Sequence, residues 1–124
     1  MRTFFLHWAP MVLWAGLIFY LSSIPSLRID VPDVWDLILR KMAHLFEYGV
    51  FAVLLMRYGE HRYPHHWSIP LVSLLGVLIY ASVDEIHQTF VDGRVGSVAD
   101  VGIDFTGGLL AALVYYRWRR KRLT

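Results

Sequence analysis

From Phe4 to Ser22 the chain contains no Asp, Glu, Lys or Arg. An uninterrupted stretch of this length, about 20 residues, is what a helix needs to cross a bilayer, and few soluble folds can bury it. A secretory signal is the competing reading, since Arg2 precedes the run. The stretch is long for that, carries Trp8, Trp14 and Tyr20, and ends without an Ala-x-Ala site. It is therefore read as a retained first span, with Pro10 free to kink it among neighbouring helices. Composition agrees: 56% of the residues are hydrophobic and the mean hydropathy is +0.46, against about 45–50% apolar in ordinary soluble domains.

Three further apolar runs follow, and the expected architecture is an all-α integral membrane bundle of four transmembrane helices. The spans are placed at about 4–22, 35–56, 69–90 and 98–118, forming one domain over residues 1–124. Ser22-Ser23-Ile24-Pro25-Ser26 stops the first span, and Pro32 keeps the following loop irregular. Asp33 or Asp36 is a ready cap for the second helix. Arg40, at its start, is expected to snorkel to the interface. Arg57 to Ser68 is read as a polar connection, and His61, His65 and His66 in it as interfacial residues rather than metal ligands. Val91 to Gly96 is a tight turn with glycines. Gly107 and Ala111, four residues apart on the last helix, mark a close helix–helix approach. The chain has no cysteine, which excludes disulfides and thiolate metal sites.

With four spans both termini share a side. Placing them in the cytoplasm collects Arg2, Arg57, Arg62, Arg117, Arg119, Arg120, Lys121 and Arg122 there, leaving Arg28, Arg40, Lys41 and Arg94 outside. That is the orientation the positive-inside rule favours. The basic tail is accordingly read as facing anionic lipid and not nucleic acid.

This topology has a chemical consequence. Lys41, His44 and Glu47 follow at three-residue steps and lie within about 120° on one helix face. Asp84, Glu85 and Gln88 end the third run, Arg94 follows, and Asp100 and Asp104 open the fourth. All fall at the outer end of their helices, so three segments contribute to one polar layer. Five carboxylates face Lys41, Arg94 and two histidines, His44 and His87. Such an excess of negative charge in a poorly solvated place needs protons, a cation or water to compensate it.

Three readings stay open from the residues alone. On an enzymatic reading His44, Glu47, Asp84 and Glu85 supply acid–base groups, while Lys41, Tyr48, Gln88, Arg94, Asp100 and Asp104 hold an anionic headgroup such as a phosphate. On a metal reading His44 and Glu47 join Asp84, Glu85 or Asp100 around a divalent cation, the only cofactor the residues suggest. On a structural reading the ion pairs only fix helix register. No serine elbow, Walker loop or HExxH motif is present.

Taken together, Lys41-x-x-His44-x-x-Glu47-Tyr48, Asp84-Glu85-x-x-Gln88-x-Phe90-x-x-Gly93-Arg94 and Asp100-x-x-x-Asp104-x-x-Gly107 resemble the VanZ-like family of bacterial membrane proteins. Ser22-Ser23-Ile24-Pro25 is similar to a Ser-Ser-x-Pro element of that family. The chain departs from the pattern at Asp104, where the family usually has Asn, and at Ala111, near which it has a second Gly. The founding member confers resistance to the glycopeptide antibiotic teicoplanin. The resemblance thus implies a cell-envelope role in the bacterial cytoplasmic membrane, with an anionic lipid headgroup or lipid-linked wall precursor as the partner. Four short helices enclose little volume, which leaves room for a homodimer.

Overall fold

Apolar runs of this length have one inexpensive conformation in hydrocarbon, the helix, because it satisfies every backbone donor and acceptor internally. A computed structural model describes residues 2–25 and 32–123, without the side chains of Arg2, Phe4, Arg122 and Leu123. Arg28 lies outside the described residues. Among the described residues there are four helices: α1 Arg2–Ser22, α2 Asp33–Arg62, α3 Ile69–Gln88 and α4 Val98–Leu123. By length and composition, stretches within α1, α3 and α4 are able to cross a membrane: Phe5–Ser22, Ile69–Gln88 and Val98–Lys121.

Helix α2 carries too many charges to qualify on composition, and its position explains how it tolerates them. It packs against all three other helices, most extensively against α4, whereas α1 touches α2 and α3 only. Polar groups on a helix so surrounded face protein instead of hydrocarbon. The outer helices show the opposite pattern, with Leu13, Phe19, Leu71, Ile79, Leu110 and Val114 all exposed. In water such patches invite aggregation, and in a bilayer they are the lipid-facing surface.

Two boundaries differ from the sequence reading. Asp33 and Asp36 do not cap α2: Pro32 occupies the cap position at φ −51°, with no side-chain cap bond. Asp36 is instead buried and paired with Arg40 one turn on, so Arg40 is tied down and does not simply snorkel. At its other end α2 runs six residues past Met56, to Arg62. Two contacts hold this extra length. Gly59 lies so close to Ile69 that an added Cβ would come within 3.0 Å of its Cγ2. Glu60 accepts a hydrogen bond from Tyr115 at 2.6 Å and pairs with Arg119. The three loop-region histidines diverge: the His61 ring stacks on His7, His65 approaches Arg119, and His66 meets Ser68.

The α2–α4 contact depends on small residues. A Cβ on Gly107 would fall 2.9 Å from Leu45 Cα, and one on Gly49 would touch Ala111 at 3.6 Å. Below the polar layer a buried core forms around Tyr48, Phe51, Ala52, Met56, Val77 and Ala81. Helix α1 closes one side through Trp14 Nε1, which donates to Glu47 O at 2.9 Å, and Tyr80 Oη, which donates to Ala15 O at 2.5 Å.

Candidate functional site

Helical periodicity puts Lys41, His44 and Glu47 on the α2 face that meets the end of α3 and the start of α4. Contacts then pair them across helices. Lys41 forms an ion pair with Asp100, and His44 Nδ1 lies 2.9 Å from Asp104 Oδ1. Both links run from α2 to α4. On α3, Gln88 Nε2 donates to Asp84 Oδ2 at 3.2 Å and to Glu85 Oε1 at 3.4 Å. Glu85 is also fixed by the Ser97 backbone N–H, 2.8 Å from its Oε2, so the loop before α4 orients a carboxylate on α3. Glu47 lies within electrostatic reach of His44, Asp84, Asp104 and Arg94.

Two adjoining cavities open on these groups. The inner one, about 130 Å³, is bounded by Ile18, Leu21 and Ser22 of α1 and by Arg40, Ala43, His44, Glu47, Asp84, Gln88 and Arg94. The outer one, about 430 Å³, includes Asp33, Asp36, Arg40, Lys41, His44, Gln88, Arg94 and Asp100. Arg40, His44, Gln88 and Arg94 line both. The arrangement is a wide polar vestibule beside a small chamber, with three cationic side chains and three carboxylates, Asp33, Asp36 and Asp100, around the vestibule and Glu47 and Asp84 in the chamber.

Every residue singled out from the sequence lies in this region, but several have duties that the sequence did not suggest. Arg94 spans the gap to α1: its Nε donates to Ile24 O and its Nη2 to Leu21 O, both at 3.1 Å. It thereby binds carbonyls at and just past the C-terminus of α1, where Leu21 O also accepts the Ile24 N–H at 3.3 Å, and among the described residues two of its five N–H donors are used. Tyr48 and Asp104 are both 0% exposed and line neither cavity, so they do not face the vestibule in which a headgroup would sit. They lie behind His44 and Glu47, where Asp104 orients the imidazole. With Nδ1 engaged by Asp104, proton exchange with a ligand falls to Nε2. Gln88 is also buried but still lines both cavities, and it donates to Asp84 and Glu85. His87 belongs to the layer but not to its interior. One residue from Gln88 means about 100° of helix rotation, and its ring turns to α1, bonding Ser23 Oγ at 3.0 Å and stacking on Phe19.

Arg40 and Ser22 line the inner cavity without having been singled out. A signal existed for each: Arg40 follows Asp36 by four residues and adjoins Lys41, and Ser22 begins the Ser-Ser-x-Pro element. The metal reading also changes membership. Among the described residues, one group of three or more potential ligands clusters, His44, Glu85 and Asp104, with ligand atoms all within 4.8 Å of one another. Asp100 is committed to Lys41.

Comparison with known proteins gives one match. The model of the VanZ/LLP1 family covers residues 5–119, a span that takes in all four helices and both cavities. No curated protein and no solved structure matches the chain.

Proposed function

The chain belongs to the VanZ/LLP1 family, and on that premise we propose that this VanZ-like membrane protein binds, and through His44 and Glu47 processes, an anionic phosphate-bearing lipid headgroup or wall-precursor lipid. In this proposal it is a multi-pass protein of the bacterial cytoplasmic membrane with both termini inside, and the polar layer opens to the outer leaflet. The observation that carries the reading is the vestibule, where Arg40, Lys41 and Arg94 stand at the entrance to a chamber containing His44 and Glu47, Arg40 paired with Asp36 and Lys41 with Asp100, so that an anion would have to share or displace those carboxylates and Arg94 is its main anchor. Guanidinium groups bind phosphate oxygens in pairs. Among the described residues Arg94 spends two of its five N–H donors on Leu21 and Ile24, which leaves three for this. A headgroup seated there leaves its tails to exit between helices into the bilayer.

The chemistry follows from the order of groups inward. His44, backed by buried Asp104, exchanges a proton at Nε2, and Glu47 is the second acid–base group. The test is a pair of variants, Glu47→Gln and Arg94→Ala, in cells challenged with teicoplanin or scored for envelope integrity, with lipid content of the purified proteins measured by mass spectrometry. Folded, membrane-inserted variants should lose both the phenotype and the bound lipid. Full retention by either refutes the proposal.

A second reading has its own support: Lys41–Asp100 and His44–Asp104 both clamp α2 to α4, the most extensively packed helix pair. If these pairs only assemble the bundle, disrupting them lowers the melting temperature. The phenotype would then track the amount of folded protein alone.

A further inference from the structure

Beneath the vestibule the charges do not balance. Glu47, Asp84, Glu85 and Asp104 stand against Arg94 and His44. Even with an imidazolium, four carboxylates leave two negative charges. Two of the carboxylate oxygens, Asp84 Oδ1 and Asp104 Oδ2, are buried without any hydrogen-bond partner. The Tyr48 hydroxyl, also buried without a partner, lies near Asp84 and is able to serve that carboxylate, which leaves Asp104 Oδ2 open. A cation is able to accept the free lone pairs of both carboxylates at once.

We propose that His44, Glu85 and Asp104, with Asp84 beside them, form a site for one divalent first-row cation such as Mn²⁺ or Zn²⁺. Adjacent ligand atoms around such an ion sit about 3 Å apart and opposite ones about 4.2 Å, given metal–ligand bonds near 2.1 Å. The three ligand atoms, all within 4.8 Å of one another, are therefore spaced so that small adjustments bring them onto one ion. One imidazole among carboxylates admits Zn²⁺ and Mn²⁺. Gln88 and the Ser97 N–H already hold Asp84 and Glu85 in place, as supporting hydrogen bonds do around metal ligands. The ion would bring the cluster close to neutrality and place a positive charge directly below the vestibule. While an ion is bound, His44 is a ligand and not a proton donor, so the acid–base role given to it above would pass to Glu47; the ion is tested without lipid, and the two proposals therefore fail separately.

Protein in detergent is stripped with EDTA, desalted, and titrated separately with MnCl₂, ZnCl₂ and MgCl₂. Bound metal is measured by mass spectrometry and unfolding by differential scanning fluorimetry. The expected result is one Mn²⁺ or Zn²⁺ per chain and a melting temperature that rises with metal concentration. Asp104→Asn and Glu85→Gln should abolish both, and Gln88→Ala, a positioning change, should weaken binding by about 10–100-fold. A His61→Ala/His65→Ala/His66→Ala variant controls for surface histidines and should bind as wild type. The proposal is overturned if stripped wild-type protein takes up neither Mn²⁺ nor Zn²⁺ and its melting temperature stays fixed. It is equally overturned if folded Asp104→Asn still binds the ion, or if binding disappears with the three surface histidines.

Discussion

Replacing Gly107 with alanine tests the packing that brings the polar layer together. The new Cβ would lie 2.9 Å from Leu45 Cα and 3.0 Å from Leu45 C. Non-bonded carbons prefer about 3.5–4.0 Å, and backbone cannot swing aside as a side chain can. Relief requires α4 to retreat from α2 by roughly 0.6–1 Å at this point. His44 and Asp104 sit within a turn of the clash, so their 2.9 Å separation would open to about 3.5–3.9 Å, outside hydrogen-bond range. Overpacking costs about 1–3 kcal/mol, and stranding a buried polar partner adds about 1–3 kcal/mol. A total of about 2–6 kcal/mol corresponds to a melting point lowered by roughly 8–23 °C. Gly102→Ala is the control on the same helix. Nothing lies within 4 Å of its added Cβ, and alanine gains up to about 1 kcal/mol of helix propensity. Both proteins would be melted in the same detergent by scanning fluorimetry. If Gly107→Ala melts with the wild type, or Gly102→Ala falls as far, the close-packing explanation of the site is wrong.

Arg94→Ala should loosen α1, since it removes two charge-assisted bonds to α1 carbonyls worth about 1.5–3 kcal/mol each; faster hydrogen exchange confined to residues 14–24 would show it. Trp14→Phe and Tyr80→Phe each delete one hydrogen bond to a carbonyl, of Glu47 and Ala15 respectively, at about 1 kcal/mol. The two bonds lie on opposite partners of the same helix, and the double variant's loss measured by chemical denaturation should be close to the sum. Reporter fusions after Leu123 should be active only as cytoplasmic markers, and an alkaline phosphatase signal there would invert the proposed orientation. Asp104→Asn without added metal should melt no lower than wild type, because the amide keeps an acceptor for His44 while removing a desolvated charge.

How much of this could be read from the residues varies with the kind of contact involved. Charge-free length announced α1 and α3, and three-residue steps announced the Lys41, His44, Glu47 face, because period and hydropathy are local properties. The end of α2 was misplaced at Met56 since charges there look like solvent exposure. Their partners, Tyr115 and Arg119, lie far along the chain. Convergence of Asp84, Glu85, Asp100 and Asp104 followed from counting depth in a presumed topology. Which carboxylate meets which cation did not, because helix rotation decides it: Asp100 went to Lys41 and Asp104 to His44. Arg94 illustrates a deeper limit. Its partners are main-chain carbonyls, which have no signature in sequence, so a residue that looked reserved for a ligand also fastens a helix.

That last point bears on how α1 is able to vary. The groups that it and the residues just after it offer to Tyr80 and Arg94 are the carbonyls of Ala15, Leu21 and Ile24, and any amino acid supplies a carbonyl. Drift along most of the first helix therefore leaves its docking intact, provided Trp14 and the backbone path that presents the three carbonyls are kept. The constraint has been moved onto residues elsewhere, so Tyr80 and Arg94 fix where a helix lies whose own outward side chains are left to suit whatever lipid surrounds them.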